Sequence, residues 1–353
     1  MTSLQKYADL SADDLHAAIW QAKRVLGEKL TILVHHYQRD EVIQFADYRG
    51  DSLDLSRRAA QAECAQYIVF CGVYFMAETA AILCKPEQVV VQPAIEAGCP
   101  MASMANAADA AHAWAVLSAM WGDDLVPMTY QNSTAEVKAF VGQHGGAVCT
   151  SSNARKLFEW AFSKGNHLLF LPDEHLGTNT ALAMGIPREQ IGIWNPANPP
   201  DAGSLTQCRV VVWRGYCHVH TKFTVEDVSA ARANYPGCRI VVHPEVPHEV
   251  LALADASGST AQIIQYVQDA PPGARIIIGT EWHLVNRLRQ EYPDKTILPL
   301  FRSTCMNMAM TTPKHLLYVL ESILEGHPRN VVVVNAEIAG WARLALQRML
   351  EAS

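Results

Sequence analysis

Nine short runs of apolar residues have the pattern of buried β-strands, and stretches with helical patterns separate them. The runs fall into three groups of three. They cover residues 30–34, 67–70 and 88–92, then 125–130, 167–171 and 209–213, then 239–242, 275–278 and 296–300. Apolar runs without strict alternation are typical of strands buried on both faces of a parallel sheet. Strands that alternate with helices favour parallel sheets with helices on both sides.

The three groups follow the same order, which indicates an internal repeat. In each group the first strand ends in polar residues, a turn containing Ser or Thr opens a helix, and the third strand runs into a cysteine. These cysteines are Cys99, Cys217 and Cys305. A further apolar run, 330–334, resembles the first strand of a fourth unit, and we expect it to complete one of the three sheets.

The repeat predicts an α/β fold made of three α/β/α domains with parallel sheets, related by a pseudo-threefold axis. The predicted boundaries are 1–104 for the N-terminal helix and first repeat, 105–221 for the second and 222–325 for the third, with 326–353 expected to complete the first. In open parallel sheets, functional residues gather at the carboxyl ends of the strands. If the three sheets direct these ends at a shared centre, the three cysteines meet there.

Composition and charge narrow the function classes. The chain has 353 residues, half of them hydrophobic and 18% charged, which is typical of a packed globular protein. The net charge of −7 and the lack of a basic run argue against a nucleic-acid partner. The N-terminus lacks the apolar core of a signal peptide, and no run approaches the ~20 apolar residues that span a bilayer. We therefore expect a cytoplasmic protein without a membrane partner, whose nine cysteines do not form a disulfide framework.

Three isolated cysteines suit an iron–sulfur cluster better than a structural zinc site. Thiolates bind either, but structural zinc sites usually use closely spaced cysteine pairs. Here the three cysteines are more than 80 residues apart. Three thiolates leave one iron of a [4Fe-4S] cluster open, and an open iron can act as a Lewis acid. The other cysteines are expected to be ordinary packing residues; they are Cys64, Cys71, Cys84, Cys149, Cys208 and Cys238.

Two further sets of residues repeat with the strands. Ser52, Ser151 and the pair Ser259–Thr260 precede helical runs, where they could cap the helix or help its free N–H groups to bind an anion. The ends of the first strands carry pairs of titratable or hydrogen-bonding side chains. These pairs are His35 with Tyr37, Tyr130 with Asn132, and His243 with Glu245.

Several motifs, in order from about Thr31 to Met308, together resemble those of the quinolinate synthase family. The motifs are His35-x-Tyr37-Gln38, Gly50-Asp51-Ser52, Phe75-Met76-Ala77-Glu78-Thr79, Ala97-Gly98-Cys99, Tyr130-x-Asn132-Ser133, Thr150-Ser151-Ser152-Asn153, Pro172-Asp173-x-x-Leu176-Gly177, Gly215-x-Cys217-x-Val219-His220, His243-Pro244-Glu245, Gly258-Ser259-Thr260, Thr280-Glu281 and Cys305-x-x-Met308.

The resemblance implies an enzyme of NAD biosynthesis that condenses iminoaspartate with dihydroxyacetone phosphate and releases quinolinate, phosphate and two waters. It implies a [4Fe-4S] cluster on Cys99, Cys217 and Cys305. The substrate-binding positions that it implies are His35, Ser52, Tyr130, Asn132, Ser151, His243, Glu245 and Thr260, with Tyr37 and Ser259 beside them. An aspartate-oxidising partner enzyme is expected to supply the imine, only because the family uses one.

Chemical type suggests roles for some of these residues. Glu245 is the expected general base, assisted by His243 or Tyr37, with His35 also in the catalytic set. His220 is expected near Cys217 without an assigned role. The departures from the family pattern, which could tune substrate access, are His36, Tyr74, Ala94 and Val246.

Four alternatives remain open from the sequence. The chain could be another [4Fe-4S] hydro-lyase acting on a hydroxy acid, or a paralogue that makes a related pyridine dicarboxylate. It could instead be a non-enzymatic redox or metal sensor, which would not need the strand-end residues. A structural zinc protein is the fourth.

Overall fold

The computed structural model describes residues 4–62 and 64–352. This part of the chain contains thirteen strands. They are β1 Leu30–His35, β2 Tyr48–Gly50, β3 Tyr67–Cys71, β4 Val89–Val91, β5 Leu125–Tyr130, β6 Ala147–Cys149, β7 His167–Leu171, β8 Ile191–Trp194, β9 Val210–Trp213, β10 Arg239–Val242, β11 Ala256–Ser257, β12 Arg275–Gly279 and β13 Thr296–Pro299.

The same part of the chain contains fourteen α-helices. They are α1 Ala12–Leu26, α2 Asp40–Ile43, α3 Ser52–Gln61, α4 Tyr74–Leu83, α5 Ala107–Trp121, α6 Ala135–Gln143, α7 Ala154–Phe162, α8 Glu174–Ala183, α9 Val225–Asn234, α10 His248–Leu251, α11 Thr260–Asp269, α12 Trp282–Glu291, α13 Pro313–Leu324 and α14 Ala336–Glu351. None of these helices is both long and apolar enough to cross a lipid bilayer.

The strands form three parallel sheets flanked by helices, so the predicted fold class is confirmed. The sheet orders are β2-β1-β3-β4, β6-β5-β7-β9-β8 and β11-β10-β12-β13. In each sheet, the first long strand lies between a short edge strand and the second long strand. The order in which the strands are added to the sheet therefore reverses at the first long strand. This reversal is the switch point at which open α/β sheets bind ligands, beyond the carboxyl ends of the strands.

The chain divides into two compact units, Met1–Cys99 with Thr304–Val334 and Pro100–Ser303 with Asn335–Ser353. The first unit contains the first sheet, and the second unit contains the other two. The three predicted domain boundaries and the pseudo-threefold axis stay predictions.

Burial on both faces explains the apolar runs of the first sheet. Ile32 and Val34 are fully buried in a core shared with α1 and α13. Leu33, whose side chain points to the opposite face, is also fully buried. Ser11 caps α1 by accepting a hydrogen bond from Asp14 N, and the buried face of α1 includes Ile19.

The first and third repeats share one hydrogen bond from a strand N–H to an aspartate, which the second repeat lacks. Asp47 accepts a 2.7 Å hydrogen bond from the N–H of Ile32, and Asp255 accepts one of 2.7 Å from the N–H of Ile240. The second repeat has Pro127 at the strand position of these isoleucines. Proline has no N–H, so the second repeat needs no acceptor there.

The C-terminal segment, which the sequence assigns to the first repeat over 326–353, is divided between the two units at Val334. The part near Val331 pairs antiparallel with Val91 of β4, by a single bridge rather than as a parallel strand. Helix α14 instead packs against α6 and β6 of the second sheet. A Cβ on Gly142 of α6 would lie 2.0 Å from the carbonyl oxygen of Trp341, so only glycine allows this close approach. Arg348 also donates to the carbonyl of Gly142.

Candidate active site

The second unit brings four of the strand-end and loop side chains into one buried cluster. Tyr130 is the last residue of β5, and His243 and Glu245 follow β10. His220 lies in a single helical turn after Cys217. All four side chains are at most 4% exposed. Tyr130 and His243 lie at the carboxyl ends of strands in two different sheets, which is where open α/β sheets bind ligands.

Glu245 is hydrogen-bonded through both carboxylate oxygens. Tyr130 Oη donates to Oε1 at 2.6 Å, and His220 Nδ1 lies 2.7 Å from Oε2. Burial on its own raises the pKa of Glu245, but the nearby imidazoles of His243 and His220 and the hydrogen bonds from His220 and Tyr130 outweigh it and lower that pKa. The carboxylate is therefore ionised at neutral pH and is held in one orientation.

His220 is the central residue that the sequence left without a role. If Nδ1–H donates to Glu245, Nε2 is free to accept from the hydroxyl of Thr280, which lies 3.2 Å away. The ring of His220 stacks on His243 with centroids 4.2 Å apart. Its loop is fixed because His220 N donates to Cys217 O and Ser303 Oγ donates to Val219 O. The signals in the sequence were its position three residues after a candidate ligand and its place in the motif Gly215-x-Cys217-x-Val219-His220.

His35 and His243 end the first strands of their repeats and share one local geometry. Nδ1 of His35 accepts from Tyr37 N at 3.1 Å, and Nδ1 of His243 accepts from Glu245 N at 3.4 Å. With Nδ1 as an acceptor, the N–H of each ring lies on Nε2. Burial, with a smaller effect of His220, lowers the pKa of His243 to about 3. The ring is neutral at physiological pH.

At two of the predicted helix starts, one residue caps the helix and the next residue is the first of the helix. Asp51, not Ser52, caps α3 by accepting from the N–H groups of Leu53 and Asp54. Ser259 caps α11 in a capping box, and Thr260 is the first helical residue. Ser52 and Thr260 thus hold the same position, the first residue of their helices.

The second repeat places its polar residues in turns. Ser151 is half-buried in the turn before α7, which is closed by a 2.7 Å hydrogen bond from Thr150 N to Asn153 Oδ1. Ser152 Oγ donates to Ser259 Oγ at 2.8 Å and links the start of α7 to that of α11. Asn132 Oδ1 is buried and accepts no hydrogen bond from the described residues. Such an acceptor can bind a substrate donor.

Asp173 is a second buried carboxyl group that the sequence did not single out as a site residue. It caps α8 and is fully buried. Its Oδ2 has no hydrogen-bond partner among the described residues. Burial, and to a smaller extent the charge of Glu245, raises the pKa of Asp173 well above its usual value.

The three predicted cluster ligands differ in exposure from the other cysteines. Cys99, Cys217 and Cys305 are half-buried, whereas the rest are buried or, for Cys64, exposed. Burial raises the pKa of Cys71 to about 12 and raises the pKa of Cys149 as well, so these thiols are poor ligands. The donor set therefore fits a thiolate-bound group at the three predicted positions.

The loops before the three cysteines share one hydrogen bond. The carbonyl oxygens of the residues two positions before the cysteines each accept a 2.8 Å bond from the first residue of a helix. The pairs are Ala97 with Tyr74 N, Gly215 with Glu174 N, and Ser303 with Trp282 N. The predicted equivalence of the cysteines thus has a counterpart in the backbone of each repeat.

Cys217 also lies in a group that could hold a metal ion. The ligand atoms of Cys217, His220 and Glu245 lie within 4.8 Å of one another. A Cβ on Gly215 would meet the carbonyl oxygen of Pro172 at 2.2 Å, so glycine is needed for the turn that presents Cys217. The first unit separately holds the remaining predicted residues, which are His35, Tyr37, Ser52, Cys99 and Cys305.

Comparison with known proteins decides between the candidate families. A family model described as "NadA: Quinolinate synthetase A protein" matches residues 17–351. The chain belongs to the quinolinate synthase family. The quinolinate synthase of Anoxybacillus flavithermus is 47% identical over 353 residues, which cover 99% of this chain and 96% of that protein. The quinolinate synthase of Listeria monocytogenes is 47% identical over 98% of this chain and 96% of that protein. The Corynebacterium glutamicum protein is 48% identical over 98% of this chain and 89% of its own.

The resemblance read from the motifs is confirmed, and with it the prediction that the chain is an enzyme of this family. The family is consistent with small-molecule substrates and with an iron–sulfur cofactor. The rival classes, another hydro-lyase and a non-enzymatic sensor, are not favoured by these matches.

Proposed function

We propose that this protein condenses iminoaspartate with dihydroxyacetone phosphate to form quinolinate for NAD biosynthesis, with loss of phosphate and two waters. The observation that carries the proposal is the 47% identity to quinolinate synthases over nearly the full length of both chains. The buried cluster around Glu245 adds a chemical reason, because the reaction requires several proton transfers at one site.

Glu245 is the proposed general base, and His243 or Tyr37 assists it. Its ionised carboxylate is stabilised by the hydrogen bonds from Tyr130 and His220. A substrate that displaces either donor without replacing its hydrogen bond makes the carboxylate more basic, since those bonds hold its pKa down. Proton uptake by Glu245 is thereby coupled to substrate binding.

The substrates carry carboxylate and phosphate groups, whereas the chain has a net charge of −7. Groups near the site, rather than the net charge of the protein, must therefore attract these anions. We assign anion binding to Ser52, Ser151 and Thr260 with the N–H groups near their helix starts. His35, Asn132 and Ser259 complete the proposed substrate contacts, and the buried acceptor of Asn132 suits a hydroxyl or imine N–H.

We assign the [4Fe-4S] cluster to Cys99, Cys217 and Cys305, whose exposure and shared backbone environment support a common role. When bound, a cluster with three protein thiolates supplies an open iron that acts as a Lewis acid during the loss of water. His220, next to Cys217, connects the base to this region.

An aspartate-oxidising enzyme is the proposed source of the imine. The cytoplasmic location stays a prediction from the sequence.

The test is product formation by anaerobically purified, iron-reconstituted protein. Iminoaspartate, generated in the assay from oxaloacetate and ammonia, is mixed with dihydroxyacetone phosphate, and both quinolinate and phosphate are measured. We expect the two products in equal amounts. A pyridine dicarboxylate of another structure would indicate a paralogue, and dehydration of simple hydroxy acids without quinolinate would indicate a hydro-lyase. No turnover of any substrate by iron-loaded protein would contradict the proposed function.

A further inference from the structure

The loop that carries His243 and Glu245 has few hydrogen bonds of its own. Pro244 has no N–H, and the N–H of Glu245 is directed to the ring of His243. Within the loop, Val246 N donates to His243 O at 3.1 Å. The direction of the Glu245 side chain therefore depends on what holds the peptide groups on either side of it.

Asn179 holds the carbonyl groups of the two residues that flank Glu245. Its Nδ2 donates to Pro244 O and to Val246 O, each at 2.9 Å. Its Oδ1 lies 2.9 Å from Nδ1 of His248, the first residue of the short helix α10. The side chain is 4% exposed. One amide thus uses both of its N–H groups on the residues immediately before and after Glu245.

The chemistry of this contact fits asparagine in particular. Two carbonyl oxygens need two donors, and the amide of Asn supplies both from one nitrogen while its oxygen accepts a third bond. Aspartate would place a carboxylate against two carbonyl oxygens, and alanine would leave both carbonyls without these bonds. Asn179 lies on α8 of the second repeat, so its bonds fix the loop of the third repeat against the repeat that supplies Tyr130.

We propose that Asn179 is a positioning residue for Glu245. By fixing the carbonyl groups of Pro244 and Val246, the residues that flank Glu245, it sets the carboxylate in the place where Tyr130 and His220 contact it. The inference rests on the proposed function, because it gives Glu245 the role of base, and it adds a residue that acts through Glu245 without touching the substrate.

The first arm of the test is kinetic. In Asn179→Ala and Asn179→Asp we expect kcat, counted per quinolinate-binding site, to fall about 10- to 100-fold, because small displacements of a catalytic group have effects of this size. The KM values should change less than kcat. Counting sites by quinolinate titration removes the contribution of misfolded protein. An unchanged kcat per site in both variants would overturn the proposal.

The matched control is Gln88→Ala. Gln88 Nε2 also donates to two carbonyl groups, those of Ala62 and Ala65, but it lies just before β4 at the amino end of the first sheet. Loss of this amide should lower the melting temperature and leave kcat per site unchanged. An equal fall of kcat in Gln88→Ala would mean that any such loss slows the enzyme, which would contradict a specific role for Asn179.

The second arm does not depend on the reaction. Hydrogen exchange of the peptide that spans 243–251 should be faster in Asn179→Ala than in wild type and unchanged in Gln88→Ala. Wild-type protein that makes no quinolinate would contradict the proposed function, whereas unchanged exchange in this peptide would contradict the inference about Asn179. If neither Asn179 variant folds, Asn179→Ser, which keeps one donor, should show smaller effects in both arms.

Discussion

Tyr130 Oη donates a 2.6 Å hydrogen bond to Oε1 of Glu245; Tyr130 ends β5, and Glu245 follows β10 of a different sheet. With the bond from His220 on the other oxygen, it holds a buried carboxylate in its ionised form. The proposed mechanism depends on this arrangement, because the base must be both charged and oriented before the substrates arrive.

Tyr130→Phe should reduce kcat/KM for quinolinate formation about 5- to 100-fold. The variant leaves a buried carboxylate oxygen without its donor, and such a loss costs about 1–3 kcal/mol. Steady-state kinetics with both substrates measure the effect. As a control, Tyr216→Phe removes a hydroxyl from a side chain that is 46% exposed and should change kcat/KM less than twofold. If Tyr130→Phe matched wild type, the bond to Glu245 would have no part in catalysis.

Glu245→Gln should lower kcat by at least about 100-fold, which is the lower end of the rate acceleration that a general base contributes. The amide has nearly the same shape and can still accept from Tyr130, so quinolinate binding should stay within about tenfold of wild type. Rapid-quench measurement of product and calorimetric titration of quinolinate separate the two effects. Turnover at the wild-type rate would exclude Glu245 as the base.

Ser259→Ala and Thr260→Val should have different effects although the residues are adjacent. Ser259 caps α11, so its loss should lower the free energy of unfolding by about 1 kcal/mol. Thr260 is not the cap, and loss of a hydroxyl bound to an anion should raise a substrate KM about 10- to 100-fold. Urea unfolding and kinetics of both variants check this. If KM rose only in Ser259→Ala, the residue that binds the anion would be Ser259 and not Thr260.

Asp255→Ala should lower the free energy of unfolding by about 1 kcal/mol, since Asp255 accepts from the N–H of Ile240 and from Arg232. Burial alone raises the pKa of Asp255, but these bonds outweigh it and lower that pKa below the ordinary 3.8. A lowered folded-state pKa gives stability that is present above the unfolded-state value and is lost as pH falls through the folded-state value. The difference in the free energy of unfolding between wild type and Asp255→Ala should therefore stay constant from neutral pH down to about 4 and shrink below that pH.

Urea unfolding across that pH range measures the difference, with Asp269→Ala as an exposed control. A difference that grows as pH falls would contradict the assigned sign.

The sequence predicted the long strands well because their apolar runs are buried on both faces, as Leu33 and Val34 show. It did not predict the edge strands β2, β6 and β11, which have only two or three residues and too short a pattern to detect. It also did not predict β8, which adds a fifth strand to the second sheet. The position of α14 depends on a close approach at Gly142, which no local pattern encodes.

For the site, the residue types at strand ends could be predicted, but their contacts could not. Tyr130 and Glu245 are 115 positions apart, and only the folded chain pairs them. His220 was expected near Cys217 without an assigned role, and Asn179 was not singled out. Their roles depend on which groups they meet, because a histidine or an asparagine becomes important through its hydrogen-bond partners.

Metal and sulfide content of anaerobically purified and reconstituted protein tests the central claim most directly. Wild type should contain about four irons and about four sulfides per chain with a broad brown absorption. Single alanine variants of Cys99, Cys217 and Cys305 should lose most of this iron and absorption, whereas Cys208→Ala, which removes a buried thiol, should keep both. A colourless, iron-free wild type, or one tightly bound zinc in its place, would contradict the account.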